Sequence, residues 1–114
     1  MRNMSFSHTI PQILDGSKDV TRRNSWWNLK PGDRVRAVKK SMGLKKGEKV
    51  EPLAELEIVS VRKERLFHVT NDDVRREGFP ELNRWDFINL VRNIARCHAL
   101  DYVNRIEFRI VQYL

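Results

Sequence analysis

The densest set of groups able to do chemistry lies in one short run, Gly16-Ser17-Lys18-Asp19-Val20-Thr21-Arg22-Arg23. A lysine three residues from a threonine can take the hydroxyl proton and leave a nucleophilic oxygen, provided its pKa falls from ~10.4 toward neutrality. Burial would lower it, and so would neighbouring positive charge, which Arg22 and Arg23 supply. In extended chain Thr21 and Arg23 point to one face and Val20 and Arg22 to the other, and a small twist at Lys18 would bring it onto the face of Thr21. Lys and Thr close in sequence are commonplace, and the pattern alone favours a plainer role as the solvated strand of a basic surface.

Glu77 is a second candidate, because an acid in the last turn of a helix opposes the macrodipole and local helix stability does not account for it. It would pair with Arg75 or Arg76, or reach a basic cleft to pair with Lys18 or donate a proton. Trp26 and Trp27 are adjacent and cannot both face one core in extended chain, so one of them is a candidate platform for a stacked base. His8, His68 and His98 are isolated, and the single Cys97 beside His98 gives two ligands without a second pair. No metal or other cofactor is therefore expected.

These groups must be carried by one domain spanning residues 1–114, since a chain of 114 residues is long enough for one core and too short for two. A hydrophobic fraction of 40% and a charged fraction of 32% fit a folded globule. A single cysteine excludes an internal disulfide framework and suits a reducing compartment, so a cytoplasmic address is expected. No apolar run approaches the roughly 20 residues of a spanning helix, so no membrane association is expected.

The formal charge of +7 is uneven: residues 1–50 hold 12 Lys+Arg against 4 Asp+Glu, net +8, and residues 51–114 hold 10 against 11, net −1. One-sided positive charge points to a polyanionic partner. Lys39, Lys40, Lys45 and Lys46, in a glycine-bearing turn between two apolar runs, read as a basic hairpin tip able to touch phosphate.

Alternation predicts a strand from Met4 to His8, then a short helix opened by Thr9 and Pro11 and closed by Gly16. An extended stretch from Lys18 to Arg23 and a turn at Pro31-Gly32-Asp33 lead to a strand from Arg34 to Lys39. Leu53 to Val69 reads as one long bent strand or two short ones parted near Lys63. A short helix follows from Asn71 to Glu77. A longer one runs from Asn83 to His98, with Trp85, Ile88, Val91, Ile94 and Ala95 on its apolar face. A final strand spans Val103 to Tyr113. The order suits an α+β fold, a small mixed barrel.

Five features carry a resemblance: the first strand, the run from Ile13 through Arg23, Pro31-Gly32-Asp33, Glu77-Gly78-Phe79, and the closing Ile106-Glu107-Phe108 strand. In order and spacing the chain resembles the ASCH domain family of PUA-like β-barrels along nearly its whole length. The resemblance implies a PUA-like mixed β-barrel of about five to six strands with two or three flanking helices, its cleft floored by Gly16, Lys18, Thr21 and Arg23. A bacterial branch, the acetylcytidine amidohydrolases, implies Lys18 as proton acceptor, Thr21 as nucleophile and Glu77 as proton donor. The chain departs from that branch in its aromatic stretch, its Lys-rich hairpin and its long second-half helix. Its closing half looks more like the uncharacterised phage-associated and bacterial ASCH proteins.

The expected function is binding of RNA, or of a nucleotide or nucleoside, in a basic cleft. Lys18, Arg22, Arg23, Trp26, Trp27 and the hairpin lysines Lys39, Lys40, Lys45 and Lys46 would be its contacts. The alternatives are an amidohydrolase acting on an acetylated nucleoside through Lys18, Thr21 and Glu77, and a regulatory domain that binds a protein partner.

Overall fold

The computed structural model describes residues 1–114. Five strands and three helices follow in the order β1 (Arg2–Ser5), α1 (Ile10–Leu14), β2 (Val20–Arg23), β3 (Arg34–Val38), β4 (Pro52–Arg65), α2 (Asn71–Arg76), α3 (Arg84–Ala95) and β5 (Tyr102–Tyr113), with a 3₁₀ turn at Leu66–His68. The strands form one sheet in the order β1-β3-β4-β5-β2. β1 runs parallel to β3, and every other pairing is antiparallel. The architecture is α+β, a mixed sheet curled into a half-barrel with β1 and β2 as its two free edges.

The curl comes from β4, the longest strand. Its register against β5 shifts between Glu55 and Leu56 and again between Ile58 and Ser60. Bulges of this kind bend a strand and raise its twist. The break expected near Lys63 thus falls at Val59, and Lys63 stays in register opposite Asn104. The alternation of β5 then divides the interior. Ile106 and Phe108 face a cluster that includes Met4, Phe6, Val35, Leu56 and Ile58. Val103, of opposite parity, joins Leu66, Val69, Val74, Phe87 and Ile88 beneath α2 and α3.

Local signals explain the helix ends. Thr70 accepts from the Asp73 amide at 3.1 Å to open α2, and Asn83 and Asp86 form a reciprocal capping box at the start of α3. α3 stops at Ala95, before the expected His98, because Arg96 adopts a left-handed conformation with φ 52°. Its apolar stripe is also rotated from expectation. Phe87 and Ile88 are the buried positions, whereas Trp85 is 54% exposed and Ile94 45%. The reason is that the core beneath α3 is filled near its start, so the later apolar residues face a cavity and Trp85 faces outward. β1 ends at Ser5, short of the expected His8, because the chain turns where the Thr9 amide bonds the Phe6 carbonyl. No helix is long and apolar enough to cross a membrane.

Candidate functional site

The two free edges of the sheet do not bond to each other through their backbones. A side chain spans them instead: the Arg23 guanidinium, on β2, donates to the Ser5 carbonyl of β1 at 2.7 Å and lies over the Phe6 ring, 4.8 Å from its centre. A cavity of about 490 Å³ opens at this seam. Its floor carries Lys18, Thr21, Arg22, Arg23 and Glu77, and its far wall is the apolar face of α3 with Phe79.

Glu77 reaches this floor from the C-terminal end of α2. Gly78, with φ +100°, turns the chain sharply after it, and an added Cβ there would meet Gln12 at 2.7 Å, so this position needs glycine. Lys18 donates to the Glu77 carbonyl at 2.8 Å and to its carboxylate Oε1 at 2.9 Å. The ammonium thus supplies the positive charge that the negative end of α2 lacks, which accounts for an acid sitting where the helix dipole disfavours it. Arg75 and Arg76, the local alternatives, pair elsewhere, with Asp72 and with Asp19 and Glu107 respectively.

Arg22 binds the other carboxylate oxygen of Glu77 at 3.1 Å, and its second amino nitrogen meets Asp73 at 2.5 Å and Glu64 at 2.6 Å. Arg22 stands opposite Arg105 in the β2–β5 ladder, a like-charged pair that would repel. Asp73 relieves this by accepting from Arg105 as well, at 2.6 and 3.1 Å. Burial alone would raise the Asp73 carboxyl's pKa, but the Arg105 and Arg22 guanidiniums reverse that and hold it well below the usual carboxylate range.

Burial pushes the Lys18 ammonium below its ordinary value. Glu77 opposes the fall, and Arg23 and Arg22 add to it. Arg23 faces no carboxylate within ion-pair distance. Burial lowers it to about 10, with Glu77 opposing, which leaves it charged at neutral pH. Its Nε donates to the Thr21 hydroxyl at 3.1 Å, the two side chains sharing a face of β2 as alternation requires. Lys18 makes no hydrogen bond to Thr21. Its ammonium turns instead toward the carboxylate it shares with Arg22.

Lys18, Thr21, Arg22, Arg23 and Glu77 therefore meet in one cavity, and the other predicted contacts lie elsewhere. Trp26 packs against the main core with the Arg2 guanidinium 4.7 Å over its ring, and Trp27 is half exposed; neither lines the cavity. The basic tip between β3 and β4 carries Lys39 paired to Glu51 at 2.8 Å and Lys40 to Glu48 at 3.7 Å, while Lys45 and Lys46 project without partners. Only Met42 of that tip reaches the cavity rim. Sequence reasoning missed Asp73, Glu64 and Arg105, whose roles depend on strand register. It placed Val91, Ile94 and Ala95 on one apolar face of the helix, and that face lines the cavity, with Val91 also packed against the second core cluster. No group of three or more His, Cys, Asp or Glu is placed to hold a metal ion.

This fold has solved counterparts. A crystal structure of an ASCH domain from Lactobacillus crispatus superposes with a TM-score of 0.71 at 19% identity, covering 99% of this chain and 80% of that one. The chain has the fold of an ASCH domain. The ASCH likeness extends to a DUF984 protein from Enterococcus faecalis, with a TM-score of 0.66 at 12% identity over 94% of this chain and 72% of the other. It extends also to an ASCH protein from Zymomonas mobilis, with a TM-score of 0.58 at 12% identity over 98% of this chain and 69% of the other. Scans against family models and curated proteins find no match, so the ASCH likeness is one of fold.

Proposed function

We propose that the seam cavity binds one nucleoside or nucleotide, free or as a unit of RNA. The observation that carries this reading is the pairing of an apolar wall with a floor that holds a half-buried guanidinium facing no carboxylate. A nucleobase has apolar faces and a polar edge, and a volume of about 490 Å³ is within the range of small-molecule sites. Phe79, Leu90, Val91 and Ile94 would cover the base, the Thr21 hydroxyl would meet its edge, and Arg23 would take a carbonyl or a phosphate. Calorimetric titration with cytidine and cytidine 5′-monophosphate tests it. Saturable one-to-one binding is expected, tighter for the monophosphate by about tenfold, with that preference lost in Arg23→Gln. Absence of binding by both at millimolar concentration would overturn it.

A second reading, hydrolysis of an acyl amide on a nucleoside, is favoured by the Thr21 hydroxyl. Its oxygen is held by Arg23 while its own proton is uncommitted, in the same cavity as the Lys18–Glu77 pair. Burial lowers the Lys18 ammonium below its ordinary value, so its amine would serve as the base, and its hydrogen bond to Glu77 would carry the proton onward. Thr21 would then bond to the acyl carbon as its proton passes to Lys18. The C–N bond would break as Glu77 protonates the amine, and water would free the acid from Thr21. Thr21→Ala and Lys18→Ala separate the two readings. Catalysis predicts that either variant abolishes turnover of an acetylated cytidine with binding kept, whereas pure binding predicts no turnover in the wild type and only a modest loss for Thr21→Ala.

A further inference from the structure

At the far end of the β4–β5 ribbon three aromatic rings stand exposed, Phe67 at 36%, Trp85 at 54% and Tyr102 at 45%. Each is backed by a cation. Arg65 and Lys63 lie over Tyr102, 4.4 and 4.7 Å from its centre, and Arg84 lies over both Phe67 and Trp85 at 4.9 and 4.3 Å. The arrangement is fixed by the backbone: Arg84 donates to the Val69 and Phe67 carbonyls, Arg65 to the Leu100 carbonyl at 2.6 Å, and the Phe67 amide to Ala99 at 2.7 Å. Lys63, Arg65 and Arg84 have no carboxylate partner. Glu64, between Lys63 and Arg65, is taken by Arg22 and Arg62, and Asp86 and Asp101 accept from the backbone amides of Asn83 and His98.

We propose that this ledge of Phe67, Trp85 and Tyr102, edged by Lys63, Arg65 and Arg84, binds single-stranded nucleic acid. Exposed rings offer faces on which unpaired bases stack, and unpaired cations beside them meet the phosphates between those bases. An acidic protein surface would answer the cations and leave the three rings bare, whereas a single strand carries phosphates for the cations and flat bases for the rings along one chain. The ledge is separate from the seam cavity and lines none of it. It does not depend on what the cavity holds, since a mononucleoside reads the cavity and is too short to report on a strand-binding ledge.

Anisotropy of a fluorescein-labelled twelve-nucleotide uridine RNA, its deoxy counterpart and a duplex of the same length, across a potassium chloride series, tests the proposal. The two single strands should bind alike and the duplex about tenfold or more weakly, because its bases are not free to stack. Trp85→Ala and Tyr102→Ala should each cost about tenfold in affinity, with Trp85→Phe restoring most of it. Lys63→Ala with Arg65→Ala should flatten the log–log salt slope by about 1.4, near 0.7 per phosphate contact. The proposal is overturned by duplex binding equal to single strand, by RNA binding with DNA ignored, or by ring truncations that leave strand affinity unchanged. Self-association of the chain that Trp85→Ala abolishes, without strand binding in the wild type, would also overturn it.

Discussion

The floor of the seam cavity and the end of the β4–β5 ribbon hold similar numbers of cations and dispose of them in opposite ways. At the floor, Lys18, Arg22 and Arg105 surround Glu77, Asp73 and Glu64, and nearly every charge is answered within 3.1 Å. At the ribbon end, Lys63, Arg65 and Arg84 lie on aromatic faces with no acid among them. Buried charge must be paired or it destabilises the fold, while exposed charge beside exposed rings costs the fold little and remains available to a partner. The floor should therefore respond to mutation mainly through stability, and the ledge mainly through binding.

The largest effect expected of that contrast is at Glu77. Glu77→Ala strands two buried cations at once and should cost roughly 3–5 kcal/mol, read as a fall in the urea midpoint. Lys18→Met leaves Glu77 bound to Arg22 and replaces an ammonium with an apolar chain of similar length, so it should cost far less. Equal losses for the two variants would mean that the floor is not organised around the shared carboxylate.

Titration separates the same groups. The folded-state pKa of Asp73 lies below its unfolded value, so its contribution is fully present above the unfolded carboxyl range near 4 and is lost as pH falls below it. Lys18 is displaced downward, so at alkaline pH the unfolded chain holds its proton after the folded one has released it. Stability therefore rises with pH between the depressed value and about 10.4. The difference in unfolding free energy between wild type and Lys18→Met should accordingly shift in favour of wild type as pH climbs through that window. A flat difference would mean that Lys18 is not desolvated.

The floor was partly legible in the sequence and the ledge was not, for reasons rooted in the range of each interaction. Thr21 and Arg23 share a face through the two-residue period of a strand, a local rule, and their bond follows it. Glu77 announced itself by standing at the wrong end of a helix. Its true partners, Lys18 and Arg22, are 59 and 55 residues away and depend on how α2 packs against β2. The charge count misled in a specific way. The second half of the chain sums to −1, yet Glu64, Asp73, Glu77 and Glu107 are consumed in ion pairs, which leaves the exposed Lys63 and the half-buried Arg65 and Arg84 without carboxylate partners in a segment that looked neutral. Trp85 fell on the helical stripe by spacing alone, and only the filled core beneath Phe87 and Ile88 turns it outward.

The ledge inverts the pattern of the floor. Trp85→Ala removes a half-exposed ring from a helix whose buried contacts are made by Phe87 and Ile88, so stability should move by about 0.5 kcal/mol or less. A large drop in thermal midpoint for this variant would place the ring in the stabilising core and erase the distinction between the two regions.

The basic tip between β3 and β4 is the weakest test, and it asks whether exposed charge suffices without rings. Lys39 and Lys40 already have carboxylate partners, Glu51 and Glu48, whereas Lys45 and Lys46 have none. If the tip touches a strand's phosphates, Lys45→Ala and Lys46→Ala should each lower the log–log salt slope of single-strand binding by about 0.7, with little change in the preference for single strand over duplex. Lys39→Ala and Lys40→Ala should do less, because each lysine's charge is already partly answered by its carboxylate and releases fewer counterions on meeting a phosphate. A tip without aromatic neighbours can add counterion release but no stacking, so its loss should weaken both single strand and duplex alike. A selective loss of single-strand binding on mutating Lys45 or Lys46 would assign the stacking surface to the tip and not to the ribbon end.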